Sequence, residues 1–195
     1  MKLVKPKLLV FIGIQGSGKG TQASLLSKKL NLQHIIAGDI FRIVAQEPTP
    51  LGKSVADNLN HGRIMTIEQW AAVVGHYLEM QDLRQGVILD GVLRSPEQVS
   101  QLAKIISTKH LPAVYLIYLR LNRDQALARL LIRGREDDKP EQLAERFRWS
   151  EQQTLPVVDL YRELGQITEV NADQSIEDTQ AEIVAKLKTQ GLISD

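Results

Sequence analysis

The chain of 195 residues contains no cysteine. That excludes a disulfide framework, a thiolate nucleophile and a cysteine-ligated zinc site. Net charge is almost absent: 24 Lys and Arg against 23 Asp and Glu leave +1. Nothing global therefore draws the molecule to nucleic acid or to an anionic membrane, and any grip on phosphate must be local. Long apolar runs are missing too. The longest, Ala113 to Leu119, falls far below the ~20 residues of a membrane helix. Lysines precede an apolar stretch near the N-terminus, but glycines interrupt it and no small-residue cleavage site follows. The expectation is a cytoplasmic protein with neither nucleic-acid nor membrane partners. With 43% hydrophobic and 24% charged residues, the composition suits one globular domain with a core of its own.

What is present is an alternation. Leu8–Gly13, Val87–Asp90 and Ala113–Leu119 are short, almost continuously apolar and rich in β-branched or aromatic residues, as strands covered on both faces of a parallel sheet are. Gln33–Ile36 and Gln166–Val170 are weaker candidates, making five. Helical spacing fills the intervals at Thr21–Leu30, Ile67–Leu83, Pro96–Thr108, Arg123–Arg133, Glu141–Leu164 and Ile176–Lys188. Helix starts are marked by Ser95-Pro96-Glu97, by Asn122 and by Asn171 or Asp173. The pattern predicts an α/β fold: a five-stranded parallel sheet between two helical layers, with right-handed crossovers. Residues 37–66 hold two short helices where one crossover would suffice, and 133–140 are polar and turn-rich. Both look like small lobes mounted on a single domain spanning 1–195.

The sharpest signal is Gly13-Ile14-Gln15-Gly16-Ser17-Gly18-Lys19-Gly20-Thr21, directly after a strand and before a helix. That is the context a phosphate loop demands. Glycines let consecutive N–H groups turn inward onto phosphate oxygens, the helix aims its positive end at the same place, and Lys19 adds a mobile charge. Gly20 stands where most such loops carry the Ser or Thr that reaches magnesium; Thr21 comes one position late.

Gly-Lys-Gly-Thr-Gln at 18–22 resembles the adenylate kinases and related nucleoside monophosphate kinases, and the resemblance runs over almost the whole chain. It implies a P-loop NTPase core that binds ATP through Gly16, Ser17, Gly18, Lys19, Gly20 and Thr21, with Mg²⁺ held largely by phosphates and water and no zinc. Gln15 replaces the proline usual in those kinases. His34 to Arg42 looks like the opening of their monophosphate-binding lobe, implying Ala37 and Gly38 at the acceptor and Arg42 on its phosphate. Gly62-Arg63-Ile64-Met65-Thr66 looks like the closing turn, whose backbone at Ile64 and Met65 would surround the acceptor base. Val87 to Arg94 is similar to the family's strand-Asp-Gly-Phe-Pro-Arg motif, with Val92 and Leu93 in place of Phe and Pro.

Physical chemistry supports these placements. Asp90 ends a buried strand at the sheet's carboxyl edge, where open α/β sheets bind ligands, and can accept from magnesium-bound water. Gly91 turns the chain, and Arg94 can fork onto a phosphate. Gln98 lies one helical turn further on; by the resemblance a Gln at this spacing reads the adenine edge, where a side-chain amide can donate and accept at once, whereas the uridylate–cytidylate kinases more often show Asn. Ala37 points instead to the uridylate–cytidylate kinases, since the adenylate enzymes usually have Thr there. AMP is favoured as acceptor.

Seven of the twelve arginines fall between 120 and 148, with Lys139 the one lysine among them. Arg120, Arg123 and Arg148 suit a solvated helix face balanced by nearby acids. Arg129, Arg133, Arg135 and Arg146 match the pattern of short-lid kinases. By resemblance, Arg129 lies against the donor adenine, Arg133, Arg135 and Arg146 converge on the transferring phosphoryl group, and Asp137 and Asp138 orient them. Only Gly134 separates Arg133 from Arg135, so the lid is very short.

His34, His61, His76 and His110 show no metal spacing, and Trp70, Ala71, Val74, Tyr77 and Leu78 read as a packing stripe. The implied activity is reversible transfer from MgATP to AMP by a monomer, with Lys19 and the arginines Arg94, Arg133, Arg135 and Arg146 as the catalytic group. A uridylate–cytidylate kinase is the alternative. A nucleotide-binding regulatory module without turnover is the rival from another class.

Overall fold

The computed structural model describes residues 1–61, 63, 65–133 and 140–195; for residues 133, 140–142 and 146 it describes the backbone alone. In chain order the elements are β1 (Lys2–Leu3), β2 (Leu8–Ile12), α1 (Lys19–Leu30), β3 (His34–Ile36), α2 (Ala37–Ala45), α3 (Pro50–Asn60) and α4 (Ile67–Glu79). There follow β4 (Val87–Asp90), α5 (Pro96–Lys109), β5 (Val114–Arg120), α6 (Arg123–Arg133), α7 (Pro140–Trp149), a π-helical turn (Ser150–Thr154), α8 (Leu155–Glu163), β6 (Ile167–Asn171), α9 (Ile176–Thr189) and β7 (Ile193–Ser194).

The five central strands form one parallel sheet in the order β3-β4-β2-β5-β6. The glycine-bearing strand β2 is in the middle, flanked by β4 and β5. The chain winds outward from β2 to one side through β3, returns to β4, then crosses β2 to build the other side. This reversal opens a crevice at the carboxyl ends of the central strands. In register, Phe11 lies beside Asp90, and Asp90 beside Ile36.

Alternation along the strands sends side chains to opposite faces. Leu8, Val10 and Ile12, with Val87, Leu89, Val114 and Leu116, join a core containing Ile40 and Val44 of α2, Val55 of α3, Trp70, Val73 and Val74 of α4, Leu102 of α5 and Val157 and Val158 of α8. Leu9, Phe11, Ile88, Tyr115, Ile117 and Leu119 join the other, against Ala23 and Leu26 of α1, Ala126 and Leu130 of α6, Leu143 and Phe147 of α7 and Ile183 and Leu187 of α9. Each fully buried Leu or Ile there contributes on the order of 1.5–3 kcal/mol. Among the described residues, no helix is long and apolar enough to cross a membrane.

Three local outcomes differ from the expected boundaries. The helix expected over Ile67–Leu83 stops at Glu79: the Met80 and Gln81 N–H groups bond three residues back, and Asp82 accepts from the Arg84 N–H at 3.1 Å, which offers the backbone a turn instead. The helix expected over Glu141–Leu164 is interrupted at its middle by the π turn, where the Leu155 N–H bonds the Ser150 carbonyl five residues back. Pro156 removes a donor just beyond. Finally, β1 and β7 pair antiparallel, Lys2 opposite Ser194; two-residue strands carry no periodicity to read. Caps otherwise fall at or near their expected places. Ser95 receives the Gln98 N–H, Asn122 the Gln125 N–H, and Ser175, slightly later than expected, the Asp178 N–H.

Candidate functional site

The loop after β2 is shaped by its neighbours. A Cβ on Gly13 (φ +151°) would lie 2.7 Å from the Leu119 carbonyl oxygen, and one on Gly16 (φ +85°) 2.8 Å from that of Ala126. Neither position takes a side chain. Gly18 (φ +87°) is the N-cap of α1 and makes no side-chain cap, and the space where its Cβ would stand is open to 4 Å. Gly18 thus leads into a helix N-terminus, whose dipole and first N–H groups suit an anion. The Lys19 ammonium donates to the carbonyls of Gly13 and Ile14 at 2.8 and 3.0 Å, so the side chain lies back along its own loop. Ser17 is buried, with no partner for its hydroxyl among the described residues.

Gly20 faces Asp90. A Cβ at position 20 would stand 3.2 Å from the Asp90 carboxylate, so the residue after Lys19 is a glycine where this strand-end carboxylate crosses the start of α1. Among the described residues, no three His, Asp or Glu gather to hold a metal by themselves. A single carboxylate beside an open phosphate loop fits Mg²⁺, which retains several waters and binds through one or two carboxylates and the substrate phosphates.

On the facing wall, Gly91 (φ +71°) lets the chain turn under Arg94. The Arg94 Nε donates to the Gly91 carbonyl at 3.1 Å, and the Arg94 N–H donates to the Gln98 side-chain oxygen at 2.7 Å. Gln98 thus commits its carbonyl to the loop and keeps its amide nitrogen for other partners. Arg42, on α2, is exposed and paired with Asp39 on the same helix. Ala37 and Gly38 open that helix; Met65 packs against the core beside the Thr66–Gln69 capping box of α4. Burial pushes the Tyr77 phenol up, and the Asp39 carboxylate adds to the rise. Ile64, Arg135, Asp137 and Asp138, with the lid segment 134–139, lie outside the described residues, as do the side chains of Arg133 and Arg146.

Two cavities result. The first, about 460 Å³, is lined by Gly13, Gln15 and Lys19, by Gly91, Leu93 and Arg94, by Trp149 at the end of α7 and by Ser150 and Thr154 of the π turn. The second, about 330 Å³, lies on the other side of the loop, between Gly16, Ser17, Gly18, Thr21 and Gln22 and the segment Ala172 to Ile176. Arg129 borders it and donates to the Ala172 carbonyl at 2.8 Å. Arg123 instead stacks over Phe147, 5.5 Å from the ring centroid, while Arg120 and Arg148 are exposed.

Of the residues singled out in the sequence, Lys19, Gly91 and Arg94 line the first cavity and Arg129 the second; Asp90 stands beside Gly20 and lines neither. Sequence reasoning missed Trp149, Ser150 and Thr154, and the wall from Ala172 to Ile176. For the wall a signal existed: it follows β6 at the same carboxyl edge as the glycine loop.

A family model described as adenylate kinase matches residues 11–166. The chain is 36% identical over 170 residues to an adenylate kinase of Corynebacterium urealyticum, covering 87% of this chain and 93% of that one. It is 34% identical over 179 residues to adenylate kinase 1 of a Nostoc species, covering 92% and 97%. It is 32% identical over 181 residues to an adenylate kinase of Prochlorococcus marinus, covering 93% and 97%.

Proposed function

The chain belongs to the adenylate kinase family and has its phosphotransferase activity, and from that premise we propose how its residues divide the work. MgATP lies along the glycine loop, its phosphates under the first N–H groups of α1 and its base in the second cavity beside Arg129. AMP lies across the first cavity from the loop, its phosphate toward Arg94 and Arg42. The observation that carries this reading is that Lys19 and Arg94 line one cavity, with Phe11 and Ile12 from the carboxyl end of β2.

Phosphoryl transfer asks for in-line placement and for charge stabilisation at the equatorial oxygens, with little covalent chemistry from the protein. Lys19 leaves the carbonyls of Gly13 and Ile14 for the ATP phosphates. Arg94 leaves Gly91 for the acceptor phosphate, which is already ionised and needs no general base. Arg42 exchanges Asp39 for the same phosphate. Arg133, Arg135 and Arg146 gather the charge that spreads in the transition state, and Asp137 and Asp138 orient them. The acceptor base meets Gln98 and the backbone at Ile64 and Met65. Bound Mg²⁺, held by Asp90 through water, would neutralise phosphate charge. Every group named comes from one chain, in keeping with a cytoplasmic monomer.

The test is a panel of AMP, CMP, UMP and GMP with MgATP, following diphosphate formation. AMP should give the highest kcat/KM. Preference for CMP or UMP would assign the acceptor site to pyrimidines, as Ala37 suggests. ATP binding without any transfer would favour a regulatory module.

A further inference from the structure

The chain from α7 to α8 passes from one face of the sheet to the other. Leu143 and Phe147 of α7 pack in the core with α1 and α9, whereas Val157 and Val158 of α8 pack in the core with α4 and α5. The crossing is the π turn, and its residues line the cavity between Lys19 and Arg94. A bond five residues back stacks positions five apart, so Trp149 and Thr154 come to one side of the turn. An uninterrupted α-helix, repeating at 3.6 residues, would separate them by more than a third of a turn. Thr154 is tied to the acceptor wall, its hydroxyl donating to the Arg94 carbonyl at 3.3 Å. Trp149 is 44% exposed, a large indole that lines the cavity and stays open to solvent. Packing does not account for that placement: Trp70, the chain's other tryptophan, is 6% exposed and belongs to the core.

We propose that the π turn holds Trp149 as a water shield over the phosphoryl-transfer cavity, closing on the two nucleotides and keeping water from the γ-phosphorus. The proposal rests on the phosphotransfer reading above and extends it to the choice of acceptor. In transfer, the bond between the γ-phosphorus and the ADP oxygen breaks as an acceptor phosphate oxygen bonds to phosphorus. In the leak, the same bond breaks while a water oxygen bonds instead, giving ADP, inorganic phosphate and a proton. Removing the indole's apolar surface admits that water.

Two measurements on the full chain test the shield. The first compares ATP hydrolysis with AMP-dependent transfer in wild type, Trp149→Ala and Trp149→Phe. The ratio of hydrolysis to transfer should rise on the order of tenfold in Trp149→Ala and return toward wild type in Trp149→Phe. The second is acrylamide quenching of wild-type tryptophan fluorescence with and without MgADP, which occupies both halves of the site. Trp70 is already shielded, so the quenchable signal is that of Trp149, and Trp149→Phe supplies the background. MgADP should lower the quenching severalfold. An unchanged ratio in Trp149→Ala, or undiminished quenching with MgADP, overturns the proposal. If wild type carries out no AMP-dependent transfer, the phosphotransfer reading fails instead. The quenching arm needs no substituted protein beyond the background, so a misfolded alanine variant leaves the decision intact.

Discussion

Gly20 and Asp90 occupy each other's space: the Asp90 carboxylate lies 3.2 Å from where any side chain at position 20 would begin. The glycine after Lys19 therefore belongs to the strand-end aspartate as much as to the phosphate loop. Gly20→Ala should push that carboxylate away by a few tenths of an ångström. Because alanine also favours the helix, by ~0.5–1 kcal/mol in a helix interior, Tm should not fall. kcat/KM for MgATP should drop about tenfold, since small misplacements near the reacting atoms are costly. Steady-state kinetics beside a thermal melt would check both halves.

Arg94 is held over Gly91 by its own side-chain bond to the Gly91 carbonyl. Arg94→Ala should lower kcat/KM by at least ~10²-fold, the scale of one lost preorganised charge-stabilising donor. Arg94→Lys should restore little of it, because an ammonium lacks the planar fork. Kinetics with AMP varied at saturating MgATP would decide; near-normal activity in the alanine variant would remove Arg94 from the site.

Thr66 and Gln69 cap α4 reciprocally, at 3.2 Å from the Gln69 N–H to the Thr66 hydroxyl and 3.0 Å from the Thr66 N–H to the Gln69 side chain. Thr66→Ala should lower the free energy of unfolding by ~1 kcal/mol. Urea denaturation would show it as a lower midpoint at unchanged slope.

Tyr161 titrates late: burial pushes its phenol from 10.0 up to about 12. A folded-state value above the unfolded one means that the stability from the neutral phenol is whole below pH 10 and drains as pH rises toward 12. Tyr161→Phe has no proton to lose there. The Tm of wild type should therefore fall more steeply than that of Tyr161→Phe between those two values, and thermal melts across the alkaline range would measure the gap.

The core was legible because the near-continuous apolar runs Leu8–Ile12 and Val114–Leu119 and apolar stripes such as Trp70–Val74–Tyr77 are local patterns, and burial enforces them. Lys19, Asp90 and Arg94 were legible for a related reason: each sits at a fixed offset from the end of a strand. Trp149 and Thr154 were not. Their common direction depends on a five-residue hydrogen bond inside a segment whose spacing reads as unbroken α-helix. The Gln98 side-chain carbonyl accepts the Arg94 N–H, a bond that depends on loop curvature composition does not encode.

The two faces of the sheet carry separate cores, one shared by α2, α3, α4, α5 and α8, the other by α1, α6, α7 and α9. The strands therefore act as a partition wall. Drift in side-chain volume under one set of helices is absorbed in its own compartment, so either layer can be repacked without loosening the other.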